Sequence, residues 1–153
     1  MLGDFFGSIY CWLEDFFGLE LADYLWGISS PLQQRNMYIG IGLSMLGISL
    51  FAVICYYYII NHPRLNNWWG WLIFLVANAL INFFIGWQLL MRHYYAGRMV
   101  KEDPTNGALV PLNISEGDIL AFGVTNMIDA TIAFFIFSYI IKWWSTNCSR
   151  APF

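Results

Sequence analysis

Residues 37–60 read MYIGIGLSMLGISLFAVICYYYII, a run without one charged side chain. At about 1.5 Å of rise per residue a helix of that length exceeds the ~30 Å hydrocarbon core of a bilayer, so the stretch predicts a transmembrane helix. Two further runs lie downstream. Residues 68–91, WWGWLIFLVANALINFFIGWQLLM, open on three tryptophans and close near Trp87. Residues 119–142, ILAFGVTNMIDATIAFFIFSYIIK, are broken only by Asp129 and end at Lys142, followed by Trp143 and Trp144. Aromatic residues at both ends match the interfacial belts of membrane helices.

Composition agrees with a bilayer as the solvent. The 153 residues are 59% apolar, 20% aromatic and 11% charged, about half the charge of an ordinary soluble domain. The expected fold is an all-α integral membrane protein, three transmembrane helices preceded by an N-terminal amphipathic interfacial helix. One membrane domain is expected over 1–153: an amphipathic helix at 1–26, spans at 37–60, 68–91 and 119–142, a polar loop at 92–118 and a tail at 143–153. Three spans place the two termini on opposite sides. The net charge of −3 and the lack of a basic block leave no electrostatic footprint for nucleic acid.

The connections differ in kind. Residues 61–67, NHPRLNN, predict a tight turn around Pro63 that folds the first two spans into an antiparallel hairpin. Residues 92–118 carry seven of the 17 charged side chains and a turn signal at Pro104–Gly107, with Glu116 or Asp118 near the next helix start. Arg35, Arg92, Arg98 and Lys101 fall on one side, against Arg64, Lys142 and Arg150 on the other. That bias favours a cytoplasmic N-terminus in an inner or plasma membrane. The first 34 residues hold five acids and no lysine or arginine, which predicts a retained N-terminus rather than a cleaved signal peptide.

Ahead of the spans the chain repeats itself, with Asp-Phe-Phe-Gly at 4–7 and again at 15–18. Eleven residues at 100° return to within about 20° of the starting direction, so both copies project the same way from a helix. A wheel over 2–19 gathers Leu2, Phe5, Phe6, Ile9, Trp12, Leu13, Phe16 and Phe17 in one sector. Opposite them lie Asp4, Gly7, Ser8, Cys11, Glu14, Asp15 and Gly18. The pattern predicts an amphipathic helix in the interface plane or against the bundle, ending near Leu19 or resuming after a kink into LADYLWG. Its acids, Asp4 and Asp15 among them, suit water or an arginine (Arg35, Arg92 or Arg98) of a neighbouring protomer.

Candidate functional residues lie inside the spans. Asn78 and Asn82 form one stripe on the second, Asn126 and Asp129 one on the third, and counting from the long-loop side puts Asn82 and Asp129 at one level, ~14–15 Å deep. Such a set is either interhelical glue at ~0.6–2 kcal/mol per contact or a polar pathway, since a charged side chain at the bilayer centre is costly and marks ion and proton routes. On the first span Gly40, Ser44 and Gly47 form a small-residue face that permits close helix approach.

Catalysis has no constellation to rest on, and neither a cofactor nor a metal is expected. His62 and His93 sit a bilayer apart, Cys11, Cys55 and Cys148 are scattered, and the glycosylation matches at Asn113 and Asn147 would fall on opposite sides. Three spans without interior proline or an inverted repeat do not suggest a carrier. The expected partners are lipid and copies of the chain or other membrane subunits. Two functions remain: a homo-oligomeric ion- or proton-conducting pore of the membrane-depolarising type, lined by Asn78, Asn82, Asn126 and Asp129, or a non-catalytic subunit of a larger membrane complex.

Overall fold

The computed structural model of the chain describes residues 1–59 and 67–143. Three helices are long and apolar enough to cross a membrane, over Met37–Ile59, Trp68–Tyr95 and Glu116–Lys142, with mean hydropathies of 2.1, 1.8 and 1.8. The protein is an all-α, multi-pass membrane protein in which shorter N-terminal helices precede the spans. The turn expected at 61–67, except Asn67, lies outside the described residues. So do His62, Arg64 and the tail features Trp144, Asn147, Cys148 and Arg150.

Local chemistry sets the helix ends. The first span, α4 (Met37–Ile54), begins where the Asn36 carboxamide oxygen accepts from the Tyr38 N–H at 2.9 Å, the ordinary way to satisfy an orphan donor at a helix start. Its last turn widens to a π-helix over Cys55–Ile59, which places Tyr56 and Tyr57 in the core. The second span, α5 (Trp68–Tyr95), runs one turn past the expected end. The third, α6 (Glu116–Lys142), starts one turn early because Ser115 and Asp118 form a reciprocal capping box.

The spans are drawn together by glycines facing larger side chains. A Cβ on Gly86 would lie 3.3 Å from the Asn126 Cβ, and one on Gly123 would lie 3.1 Å from the Phe83 ring, so α5 and α6 approach closely at both places. The stripe expected to mediate packing, Gly40, Ser44 and Gly47, takes no part in it. Nothing stands within 4 Å of a Cβ at Gly40 or Gly47. The inward face of α4 is instead Tyr38, Ile41, Gly42, Met45, Ser49 and Val53, and Gly42 receives the ring of Phe6.

In place of one helix over 1–26 the N-terminal segment forms three: α1 (Leu2–Cys11), α2 (Glu14–Phe17) and α3 (Leu19–Trp26). The chain leaves α1 at Trp12–Leu13 and bends again at Gly18, whose φ of 93° suits a residue without Cβ. Both copies of Asp-Phe-Phe-Gly still divide in the same way, as their eleven-residue interval predicts. Phe6 and Phe17 are 2% and 0% exposed, whereas Phe5 and Phe16 are each 57% exposed. Gly7, placed opposite the apolar sector by the wheel, is buried where it admits the Trp26 ring. After Gly18 the new phase turns Leu21, Ala22, Tyr24 and Leu25 inward.

These helices pack against the bundle rather than lying flat beside it. Gly3 stands by Asn36 and Ile39, Phe6 lies on Gly42, and Trp12 reaches the neighbourhood of Met45. Met37 to Met45 is about 12 Å of helical rise, so α1 descends alongside α4 and the turn after it lies below the start of the span. The return limb climbs past Phe122, whose ring meets Phe17 edge-on at 5.2 Å. At Gly27, a left-handed residue, the limb reaches the Arg35 backbone. The segment is a helical hairpin inserted from one side.

The polar loop has a short antiparallel pairing that the sequence did not announce, β1 (Val100–Glu102) with β2 (Leu109–Pro111). Its turn is held by the Asp103 carboxylate, which accepts from the Thr105 N–H and hydroxyl at 2.9 and 2.7 Å. Those bonds hold the Asp103 carboxyl below its ordinary range. The loop is clipped to the inserted hairpin by Glu20, which accepts from the Asn113 N–H at 2.7 Å and lies 3.6 Å from Lys101.

Gly42 and Gly40 provide a matched test of this packing. Gly42→Val should overfill the Phe6 contact and lower stability by about 1–3 kcal/mol, read as a lower unfolding midpoint in detergent. Gly40→Val, with open space around it, should leave the midpoint unchanged or slightly raised.

Candidate functional site

A chain of polar side chains crosses the interior and joins four helices. The Tyr10 hydroxyl donates to Asn126 Oδ1 at 2.7 Å, and Asn126 Nδ2 donates to the Asn82 carbonyl at 2.7 Å. Asn82 Nδ2 donates to the Asn78 carbonyl and Oδ1 at 3.0 and 3.1 Å. Asn78 Nδ2 in turn donates to Ser49 Oγ and to the Ala130 carbonyl, both at 3.1 Å. Every side chain in this chain is buried. In a medium without water each of these groups needs a protein partner, so the chain ties α1, α4, α5 and α6 into one body.

Asp129 does not join it. Three residues turn a helix by 300°, which leaves Asp129 about 60° away from Asn126 around α6. Asn126, not Asp129, therefore stands at the level of Asn82. Asp129 faces the inserted hairpin, where Oδ1 accepts from Trp12 Nε1 at 3.3 Å and Oδ2 has no hydrogen-bond partner. The residue is 4% exposed and borders a cavity of about 450 Å³ whose other walls are apolar, among them Phe5, Trp12, Met45 and Ile136.

Tyr10, Trp12 and Ser49 were absent from the candidate residues. Tyr10 lies four residues after Phe6, on the same face of α1, so a hydroxyl on an otherwise apolar stripe was the available signal. Trp12 was assigned only to the apolar sector, although its indole N–H is a donor that seeks a partner when buried. The doubled motif's acids, Asp4 and Asp15, are exposed on the hairpin's outer side.

A second cavity, of about 590 Å³, has opposite chemistry. It lies at the loop end of α5 and is bordered by Gln88, Arg92, His93 and Arg98 together with Ile85 and Leu89. Behind it the Tyr24 hydroxyl lies 2.7 Å from His93 Nδ1. Burial pushes the Tyr24 hydroxyl up to about 12, so it is protonated at neutral pH and can donate to the ring. Cys11 and Cys55 are free. Burial, with the Glu14 carboxyl beside it, holds the Cys11 thiol above its ordinary range, which makes it a poor nucleophile. Among the described residues no three His, Cys, Asp or Glu side chains gather into a metal-binding group.

Comparison with protein-family models, with curated proteins and with solved structures finds no match.

The polar chain predicts coupled energetics. Tyr10→Phe should cost about 1 kcal/mol by leaving Asn126 Oδ1 unpaired, and Asn126→Leu about 1–2 kcal/mol. Because both changes break the same bond, the double variant should cost less than the sum of the two. Reversible unfolding of the four proteins in detergent checks this.

Proposed function

We propose that this chain is a non-conducting accessory subunit of a membrane assembly, a sealed three-span body that acts by binding rather than by passing ions or by catalysis. The observation that carries the reading is the direction in which the intramembrane amides point. A ring pore would need Asn78, Asn82 and Asn126 on a lumen-facing surface, whereas all three are buried with their amide nitrogens hydrogen-bonded inside one chain. The inserted hairpin supports the same reading, since Tyr10 closes one end of that chain and Trp12 covers Asp129. The outward face of α4 at Gly40, Ser44 and Gly47, with open space at both glycines, suits the flank of another membrane helix.

Ion flux and co-purification test the proposal together. Proteoliposomes carrying an imposed proton or potassium gradient should leak no faster than empty liposomes, with wild type and Asp129→Asn alike. Gentle extraction from native membranes should bring down partner chains at a fixed ratio. Conductance above the empty-liposome level that Asp129→Asn abolishes would overturn the reading in favour of a pore.

A further inference from the structure

Asp129 is buried in a way that no contact among the described residues completes. Its Oδ1 takes one long hydrogen bond from Trp12 Nε1 at 3.3 Å, its Oδ2 takes none, and only 4% of the residue is exposed. If ionised, the group is a buried negative charge without a counter-ion, a costly state. If protonated on Oδ2, its hydroxyl has no acceptor among the described residues. Asn82 Oδ1 and the Tyr38 hydroxyl are also buried without a partner among the described residues; of these three residues, Asp129 borders the apolar cavity.

That cavity has the size and chemistry of a ligand site. About 450 Å³ lies within the ~300–1,000 Å³ range of small-molecule pockets. A single polar group bordered by apolar walls fixes orientation by one contact and takes the rest of its affinity from apolar burial. The aromatic members Phe5, Trp12 and Phe137 add ring faces of the kind that attract a cation. Phe5, Ile132 and Ile136 on its rim are about half exposed on the outer surface of the bundle, so the opening faces the bilayer.

We propose that the cavity between the inserted hairpin, α4 and α6 binds a lipophilic ammonium, an apolar body carrying one N–H-bearing positive charge, taken from the bilayer with its nitrogen on the Asp129 carboxylate. This deepens, and rests on, the reading of the chain as a binding subunit. The ligand supplies both the counter-charge and the donor that the site lacks, and its apolar part replaces lipid against the rim. Trp12 holds Oδ1 of that carboxylate from the hairpin side.

Equilibrium dialysis of 2-(1-naphthyl)ethylamine against protein-loaded and empty nanodiscs tests the site, with 2-(1-naphthyl)ethanol as the uncharged probe of similar shape. The amine should bind loaded discs beyond its partition into empty ones, and the alcohol at least ten-fold more weakly. Asp129→Asn, which keeps the acceptor for Trp12, should reduce amine binding at least ten-fold. Ile132→Trp, which fills the cavity from its half-exposed rim, should do the same with Asp129 intact. Elution and detergent unfolding of both variants report whether the fold is retained, and the Ile132 variant stands if the Asp129 variant does not fold. Amine retention equal to that of empty discs, or unchanged by both substitutions, or matched by the alcohol, would overturn the proposal. Ion flux through the wild-type protein would sink the subunit reading without altering the dialysis result, so the two failures are distinguishable.

Discussion

The hydrogen bond from the Tyr10 hydroxyl to Asn126 is the contact on which the arrangement of the chain depends. Asparagine side chains between membrane helices are stable only when their donors and acceptors find protein partners, because the surrounding hydrocarbon offers none. The amide nitrogens of Asn78 and Asn82 and the Ser49 hydroxyl find partners across α4, α5 and α6, and among the described residues Asn126 Oδ1 is reached from the N-terminal segment. Completing the network therefore requires the hairpin to be inserted. Once Tyr10 is in place, its ring stacks on Tyr38 at 5.1 Å and packs against Phe122. The aromatic cluster that fills the loop-side half of the bundle grows from that contact.

Insertion in turn explains why the segment is broken into short helices. A continuous helix over 1–26 would be about 39 Å long and could not turn back within the bundle. The irregular Trp12–Leu13 link and the left-handed Gly18 provide the reversal. Phe6, Phe17 and Leu21, which fall within about 60° of one another on a single wheel, all face inward, so the breaks redirect the chain without losing that face. At the mouth, Glu20 holds Lys101 and the Asn113 N–H, and the Ser30 hydroxyl donates to the Arg98 carbonyl at 3.1 Å. The extramembrane loop is thereby fastened over the hairpin that it follows by some seventy residues in sequence.

The three spans were legible in the sequence because length and apolarity are local properties that a bilayer imposes on each helix separately. So was the burial of Asn78, Asn82 and Asn126, since asparagine in a span has few tolerable environments. Which face each presents was not legible. It depends on helix rotation and depth, and a three-residue step between Asn126 and Asp129 is enough to direct them to different neighbours. The role of Gly42 over Gly40 and Gly47 was hidden for a similar reason: the regular four- and seven-residue spacing of the outer stripe is a pattern of α4 alone, whereas the choice of Gly42 was made by Phe6 on another helix. The β1–β2 pairing is three residues a side and almost wholly exposed, so no alternation of burial was available to mark it.

The contrast between Asn126 and Asp129 separates structural from functional polarity in this bundle. Both are buried, on the same helix, one turn apart, and both receive a donor from the N-terminal hairpin. For Asn126 the partners account for the carboxamide oxygen and the amide group, and replacing its neighbours would only loosen the packing. For Asp129 an asparagine would accept the same Trp12 bond at far lower desolvation cost, since it carries no charge to bury. The indole bond alone is therefore no physical reason for a carboxyl group at that position. What a carboxylate can provide and a carboxamide cannot is a negatively charged acceptor at the edge of an apolar cavity, which is the property the proposed ammonium site uses.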